Sequence, residues 1–103
     1  MSTTKISGKF IEITGFSEDW TWSDYPQLNN DGLDILSILF LSSTVGDNIV
    51  CKEGSDTGPG FTIPGPVANQ TQHLPLYGAR MKLVIDYSES TVAGTEKITI
   101  IMK

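Results

Sequence analysis

The sequence predicts an all-β domain, an antiparallel β-sandwich or jelly roll of about six to eight strands. Apolar and polar residues alternate in several short segments, most clearly in Met81–Tyr87. Ten glycines and five prolines lie mostly in clusters between these segments, which is typical of many turns and few helices. No segment predicts a helix. A chain of 103 residues is long enough for a single domain, residues 1–103, with one core.

The first predicted strand is Lys9–Thr14, in which Ile11 and Ile13 share one face. We expect the two isoleucines to face the core and the opposite face to be solvated. The segment that follows, Ser17–Gly32, is polar and acidic apart from its aromatic residues. Its sequence Asn29–Gly32 is a strong turn signal, which places a turn before the next apolar segment.

The second predicted strand is Ile35–Leu41, which is apolar except for one serine. Periodicity alone does not distinguish a buried strand from a buried helix in such a run. Its length of seven residues favours a strand, and so does the turn-like sequence Val45–Asn48 that follows. The alternating segment Ile49–Glu53 then predicts a partner strand.

The third part of the chain combines a long loop with two further strands. Gly54–Pro66 is rich in glycine and proline and predicts a loop, within which Phe61–Ile63 fits a short edge strand. Residues Ala68–His73 are polar and predict a second loop. The closing strands are Met81–Tyr87 and residues 98–103, because both segments alternate in polarity.

The charge of the chain argues against two classes of partner. Twelve acidic residues outnumber seven basic ones, and the formal net charge is −5. Nucleic acid binding needs a cluster of bases that displaces counterions from phosphates. The bases here are scattered, whereas Ser17–Asp34 contains acids and no base. We therefore expect no nucleic acid partner and no binding to an anionic membrane.

Cys51 is the only cysteine, so the chain forms no internal disulfide. That usage fits assembly in a reducing cytoplasm. Met1–Gly8 is polar and lacks the apolar region of a signal peptide. The longest apolar stretch, Ile35–Leu41, is too short to span a bilayer. We therefore expect a chain without a membrane segment that is assembled in the cytoplasm.

No motif in the sequence predicts catalysis, a cofactor or a metal. His73, the only histidine, lies in a polar segment with no nucleophile beside it. Cys51 is expected to be a small buried residue in a strand. Gly54–Gly60 resembles a phosphate loop only superficially, because it lacks the Gly-Lys-Ser/Thr ending. Asn30–Asp34 lacks the alternating ligands and final glutamate of a calcium loop. We expect a protein without enzymatic activity.

Aromatic residues in the acidic segment are the best candidates for binding. Trp20, Trp22 and Tyr25 lie close together in sequence. Exposed aromatic side chains provide large contact areas for a sugar or a protein at a low entropic cost. The alternative is that these residues cover an open end of the sandwich, and the sequence leaves both possibilities open.

Two segments resemble small virion-associated proteins of tailed bacteriophages and prophages. The first, residues 37–59, has an apolar strand, a small turn with Asp47, a second apolar strand and the loop Gly54-Ser-Asp-Thr-Gly-Pro59. The second, residues 76–91, begins with Leu76-Tyr-Gly and continues through the strand that contains Ile85-Asp86. Together the two segments cover a little over a third of the chain.

The resemblance implies a structural role in the virion, as a capsid decoration or cement protein or another head or tail component. Such proteins are often trimeric β-sandwiches, which implies a homotrimer that binds the major capsid protein or another virion protein. We expect the contacts in Met1–Gly8, in Gly54–Pro66 with Pro59 and Phe61, and in Trp20–Tyr25. The alternative is a module that binds a glycan or a host surface through an exposed platform formed by Trp20, Trp22 and Tyr25.

Overall fold

The computed structural model describes residues 2–103, which form nine β-strands in two packed antiparallel sheets. One sheet has five strands in the order β1-β2-β9-β4-β7, and the other has four in the order β3-β8-β5-β6. A 3-10 turn at Trp22–Asp24 follows β3. The strands are β1 (Thr3–Ser7), β2 (Phe10–Thr14), β3 (Trp20–Thr21), β4 (Leu33–Leu41), β5 (Asp47–Glu53), β6 (Gly60–Gly65), β7 (Thr71–Met81), β8 (Leu83–Thr91) and β9 (Lys97–Met102).

The pairing of the strands defines a jelly roll. Strand β2 pairs with β9, β3 with β8, β4 with β7 and β5 with β6. These four pairs alternate between the two sheets, as they do when one long hairpin is rolled up on itself. Strand β1 extends the five-stranded sheet beyond β2. The predicted all-β antiparallel sandwich is confirmed.

The core lies between the inner faces of the two sheets. Ile11 and Ile13 of β2 are fully buried, as the alternation in that strand predicts. From the opposite sheet, Ile49 and Cys51 of β5 and Ile85 of β8 are also fully buried. Each buried aliphatic side chain contributes roughly 1.5–3 kcal/mol relative to an exposed one. This apolar layer is the main source of stability in a chain without a disulfide.

Most of the predicted strands are present with small changes of length. Ile35–Leu41 is a strand and not a helix, and β4 begins two residues before it, at Leu33. The strand predicted at Ile49–Glu53 is β5, which begins at Asp47. Phe61–Ile63 is part of β6, and β6 is an edge strand as its flanking prolines predict.

The segment before Lys82 is the main correction to the sequence prediction. Ala68–His73 was expected to be a loop, but Thr71–Met81 forms the long strand β7. Met81 ends β7, and the predicted closing strand begins at Leu83 instead. The polar sequence of β7 reflects its position at the edge of the sheet, where many of its side chains remain in water.

Two further strands raise the total above the predicted range of about six to eight. Strand β1 occupies most of the N-terminal segment Met1–Gly8, whose first residue lies outside the described residues. Strand β3 has only two residues and lies in the aromatic segment. Both strands are at sheet edges, where few side chains are buried and the sequence pattern is weak. The predicted loop Gly54–Pro66 is shorter than expected, because β6 occupies about half of it.

Candidate interaction surfaces

The aromatic segment does not form an exposed platform. Only 2% of Trp20 and 8% of Trp22 is exposed, and Tyr25 is half-buried against the core. A platform that binds a sugar must present the faces of its rings to solvent. The predicted platform of Trp20, Trp22 and Tyr25 is therefore wrong, whereas the alternative that these residues cover an opening in the sandwich agrees with their burial.

A small hydrogen-bonded cluster explains this burial. The Trp20 and Tyr25 rings stack with centroids 5.4 Å apart. Trp20 Nε1 donates a hydrogen bond to Thr4 Oγ1 at 3.1 Å, and the Tyr25 hydroxyl lies 2.9 Å from the same oxygen. Thr4 belongs to β1 and Trp20 to β3, which are the edge strands of the two sheets. The cluster thus closes the side of the sandwich where the two sheets would otherwise be open.

The other residues singled out from the sequence are spread over the molecule. Pro59 is exposed in the β5–β6 connection, whereas Phe61 is partly buried and packs against the core. His73 is exposed on β7, opposite Leu39 of β4. Cys51 is buried in β5, and burial raises the pKa of its thiol to about 12. These positions do not converge on one site.

The described part of the chain also lacks two kinds of feature. Within residues 2–103, no group of three or more His, Cys, Asp or Glu side chains is placed to hold a metal ion. No helix in the same range has the length and apolar character needed to cross a membrane.

The outer surface of the five-stranded sheet carries an unusual number of apolar residues. An antiparallel sheet with one solvated side normally has polar residues on that side. Here Phe10 is 54% exposed and Leu36 is 42% exposed, and three further apolar side chains are half-buried. We call this surface the apolar face; it consists of Phe10 (β2), Leu36, Leu39 and Leu41 (β4) and Ile101 (β9).

The strand register defines how the apolar face is arranged. Ile101 lies directly between Phe10 and Ser37 of its neighbouring strands. Leu39 and Leu41 line a shallow depression of about 130 Å³. Lys97, which pairs with Leu41, also lines this depression, and its Nζ lies 3.4 Å from the Glu12 carboxylate. The face therefore combines apolar side chains with one ion pair, and protein–protein interfaces that form between separate subunits are similarly mixed.

A bulge at the edge of the apolar face holds Tyr77, the most exposed of the large hydrophobic residues that the structure describes. The register between β4 and β7 shifts between Ile35 and Ser37, which leaves Leu36 and, on β7, Tyr77 outside the regular ladder. Tyr77 is 86% exposed and has a φ of 56°, in the left-handed region. A bulky residue in that region is uncommon, and such strain is concentrated at functional sites.

A second surface lies at one end of the sandwich, where three connections meet. They are residues 42–46, 66–70 and 92–95, and they contain no Asp, Glu, Lys or Arg. Ser42 Oγ donates a hydrogen bond of 2.6 Å to the Val67 carbonyl oxygen, and Asn69 N donates one of 2.8 Å to the Ser42 carbonyl oxygen. At the tips, Val45 is 70% exposed and Val67 is 51% exposed. We call these three connections the neutral loop surface.

Two buried carboxyl groups fix the neutral loop surface from below. Asp47 Oδ2 accepts hydrogen bonds from the backbone N–H groups of Ser43 and Thr44, at 3.1 and 3.0 Å. Glu96 accepts hydrogen bonds from Ala93 N and Gly94 N, at 2.7 and 2.8 Å. Ser43 Oγ also donates a hydrogen bond of 2.9 Å to Glu96 Oε2. The two carboxyl groups therefore tie the β4–β5 turn to the β8–β9 connection.

The two carboxyl groups share their environment but titrate differently. Burial raises the pKa of Asp47, and its hydrogen bond with Glu96 raises it further. Burial by itself also raises the pKa of Glu96, but hydrogen bonds from Asp47 and from backbone N–H groups outweigh this and bring the pKa to about 2. Glu96 is thus the ionised partner, and Asp47 is the one that takes up a proton more readily.

A cavity of about 330 Å³ lies near the opposite end of the sandwich. Its lining includes the apolar residues Ile6, Leu33 and Met102 and the polar residues Asn29 and Asp34. Trp22 does not line the cavity, but its Nε1 donates a hydrogen bond of 3.2 Å to the carbonyl oxygen of the lining residue Asn29. The volume is at the lower limit of typical ligand pockets.

Sequence patterns indicated some of these surfaces and not others. The alternation in β2 and β9 places Phe10 and Ile101 on the face opposite the core, which was a usable signal for the apolar face. Asp47 and Glu96 are far apart in sequence, and only the roll of the sheets brings them together. The exposure of Tyr77 depends on a bulge that local sequence does not specify.

Comparisons with protein-family models, curated proteins and solved structures give no match to this chain.

Proposed function

We propose that this protein is a non-enzymatic structural subunit of a phage virion, most specifically a decoration or cement protein of the head. It attaches to the major capsid protein or another virion protein and stabilises the assembled shell. The observation that carries the proposal is the apolar face. It leaves 54% of Phe10 exposed to water, although the protein as a whole is acidic. Exposed apolar side chains that are grouped on one face of a sheet support a contact with another protein.

Two further features support this role. Segments 37–59 and 76–91 resemble small virion-associated proteins of tailed phages. The jelly roll is also an architecture on which viral capsid domains are built, although many unrelated proteins share it. On the apolar face, the ion pair of Glu12 and Lys97 lies beside the apolar side chains and gives the docked partner a defined orientation.

The first experiment asks whether the chain is a component of particles. Particles are purified on density gradients from the phage or prophage that encodes the chain, and their proteins are quantified by mass spectrometry. The proposal predicts a fixed ratio of this chain to the major capsid protein. A chain that is expressed during particle production but absent from the particles would overturn the proposal.

The second experiment tests the apolar face as the attachment surface. Purified chain is added to particles that lack it, and the bound fraction is measured by co-sedimentation. Phe10→Glu is expected to weaken binding at least about tenfold, because it buries a charge in the interface. Thr62→Glu is the matched control, since Thr62 is exposed on β6 in the other sheet. Equal binding of Phe10→Glu and wild type would exclude the apolar face.

A pair of variants at Tyr77 separates binding from backbone strain. Tyr77→Gly removes the ring and also relieves the left-handed conformation, whereas Tyr77→Ala removes only the ring. If the ring contacts the partner, both variants lose binding to particles. If only the shape of the bulge matters, Tyr77→Gly binds like wild type.

A second candidate function is a glycan-binding module of the tail or adhesin type. The buried tryptophans do not support it, but the cavity of about 330 Å³ with both apolar and polar lining residues does. Sugars are commonly held by such combinations of polar and apolar contacts. Trp22 donates a hydrogen bond to the lining residue Asn29, so a bound sugar is expected to change its fluorescence.

A titration with a broad sugar panel tests this second candidate. Saturable changes in tryptophan emission that disappear in Asn29→Ala would support a glycan site. An unchanged emission across the panel, together with the association with particles described above, would exclude a glycan-binding function.

A further inference from the structure

We infer that the partner that docks on the apolar face presents an acidic protein surface, in which carboxylates surround an apolar contact. This inference rests on the proposed function, because it names the chemistry of the surface to which the apolar face attaches. The charges on the outer side of the five-stranded sheet have the opposite sign to those on the rest of the molecule.

The strand register places three charged side chains on the same side of the sheet as the apolar face. Glu12 lies between the two fully buried residues of β2, so its side chain points outward. Lys5 lies opposite Glu12 in the β1–β2 pair, and Lys97 lies opposite Leu41 in the β9–β4 pair. Directly opposite residues of antiparallel strands share a face, so both lysines also project on the outer side.

Three further charged side chains lie on the outer side near the bulge. Asp34 lies opposite Arg80 and precedes the fully buried Ile35, so both charged residues point outward. Lys103 N donates a hydrogen bond of 2.8 Å to the Asp34 carbonyl oxygen, which continues the β9–β4 register and places Lys103 opposite Asp34. The Lys103 side chain lies over Gly78 of β7, where its Cδ would be 3.0 Å from an added Cβ atom.

Bases outnumber acids on the outer side, in contrast to the rest of the chain. The outer side carries four bases, two acids and hence a net charge of +2: Lys5, Arg80, Lys97 and Lys103 against Glu12 and Asp34. The rest of the chain has ten acids and three bases. Three of these ten acids are buried, and the seven others still outnumber the three bases. The outer side is therefore a positive surface on an acidic protein.

The ion pairs leave this surplus of positive charge at two places. Lys97 Nζ lies 3.4 Å from the Glu12 carboxylate, and Arg80 Nε lies 2.9 Å from Asp34 Oδ1. Both acids are thereby engaged, so Lys5 and Lys103 remain as the surplus. Lys5 lies on β1 and the Lys103 side chain reaches β7, and these strands are the two edges of the sheet. The surplus charges thus flank the apolar face.

A partner of opposite charge fits such a surface. Two protein surfaces attract and orient one another when a positive patch meets a negative one. The partner must also supply apolar side chains, since Phe10 and Leu36 are exposed between the flanking lysines. A nucleic acid or an anionic membrane would bring phosphates against Glu12 and Asp34 and would leave the apolar side chains without a partner. An acidic protein surface meets both requirements.

Association rates with particles that lack the chain test the charge of the partner. Lys5→Glu and Lys103→Glu are each expected to slow association about tenfold at about 0.1 M salt, because a charge at the border of an interface acts mainly on the association rate. Lys82→Glu is the matched control, since it changes the net charge equally but lies exposed between β7 and β8. At about 1 M salt, where charges act over about 3 Å, all four proteins are expected to associate alike.

The outcomes separate this inference from the proposed function. Equal slowing by Lys5→Glu and Lys82→Glu would overturn the inference, because net charge alone would then govern association. Unchanged rates for Lys5→Glu and Lys103→Glu, with binding lost in Phe10→Glu, would keep the apolar face as the attachment surface and exclude an acidic partner. A wild type that does not bind particles contradicts the proposed function instead.

A measurement on the isolated chain tests the inference without particles. A glutamate–leucine copolymer and a lysine–leucine copolymer are titrated into isotope-labelled chain, and the amide signals are followed by NMR. The glutamate–leucine copolymer is expected to shift signals in β1, β2 and β9 of wild type and not of Lys5→Glu, whereas the lysine–leucine copolymer should shift those of residues 18–31. The absence of glutamate–leucine shifts in β1, β2 and β9, or equal shifts there with a DNA duplex, would overturn the inference.

Discussion

The indole of Trp20 is buried and hydrogen-bonded at the same time, and this combination decides its role. Its Nε1 donates to Thr4 Oγ1, and its ring stacks on Tyr25. A buried tryptophan needs a partner for its N–H, and β1 supplies it. At the scale of single residues, a tryptophan that looked available for binding is part of the framework that joins the two sheets.

Replacing Trp20 is therefore expected to lower stability rather than to act on binding alone. Trp20→Ala should reduce the free energy of unfolding by about 3–5 kcal/mol, the usual cost of truncating a buried aromatic residue. Urea unfolding followed by circular dichroism measures this change. Tyr25→Phe is the milder comparison, because it removes only the hydroxyl contact with Thr4 and should cost about 1 kcal/mol. A Trp20→Ala variant as stable as wild type would contradict the role of this cluster.

The stability of the protein is expected to depend on pH through Asp47 and Glu96. The two residues act in opposite directions, because the pKa of one is raised and that of the other is lowered. The pKa of Glu96 falls from 4.5 to about 2 on folding. Ionised Glu96 therefore stabilises the folded protein above pH 4.5, and this stabilisation is lost as the pH falls toward about 2. The pKa of Asp47 is raised above 3.8 in the folded protein. Protonated Asp47 therefore stabilises the fold below pH 3.8, and this stabilisation is lost as the pH rises through the raised pKa.

Two isosteric variants separate these effects. Glu96→Gln should be less stable than wild type at neutral pH and should lose little further stability between pH 4.5 and about 2. Asp47→Asn should be at least as stable as wild type at neutral pH, because an amide retains the acceptor for Ser43 N and carries no charge toward Glu96. Chemical unfolding across this pH range measures both curves. A lower stability of Asp47→Asn at neutral pH would contradict the assignment.

At the scale of elements, the central strands were predictable and the edge strands were not. Strands β4, β8 and β9 are buried on one or both faces, so their apolar residues give a clear pattern. Strand β7 pairs with β4 alone and contains Pro75 and Gly78, which normally indicate a loop. Pairing with β4, rather than its own propensity, makes β7 a strand.

The β5–β6 hairpin offers a test of close packing within an element. A Cβ atom on Gly60 would clash with the Cys51 carbonyl oxygen, whereas a Cβ atom on Gly54 would meet nothing within 4 Å. Gly54 instead has a φ of +83°, which disfavours other residues.

Gly60→Ala is therefore expected to be the more harmful of the two substitutions. It should cost about 3 kcal/mol or more, because the backbone of β5 must move away, while Gly54→Ala should cost about 1–2 kcal/mol. Thermal unfolding of the two variants side by side provides the comparison. Equal losses would show that the hairpin accommodates the extra methyl group freely.

For the whole molecule, the jelly roll joins residues that are distant in sequence. Strand β2 pairs with β9, so that Phe10 lies opposite Ile101. The neutral loop surface, the apolar face and the aromatic cluster all depend on such long-range pairing. Each consists of residues from segments that are distant in sequence and that no local sequence pattern connects.

This topology also predicts slow folding. Long loops must close before distant strands gain contacts, so chains dominated by such pairs fold in roughly milliseconds to seconds. We expect refolding in that range, with one main phase that tracks the burial of Trp20 and Trp22. Stopped-flow tryptophan fluorescence measures it. Refolding within microseconds would contradict this prediction.

The sequence by itself determined the class of fold, because alternation with a period of two and clusters of glycine and proline specify strands and turns locally. It also determined the core-facing residues of β2 and the buried state of Cys51. Only the tertiary structure decided that the tryptophans are covered, that Asp47 and Glu96 meet beneath one end, and that Tyr77 projects from a bulge. These features arise from contacts between strands far apart in the chain, and local residue patterns carry no information about which strands will become neighbours.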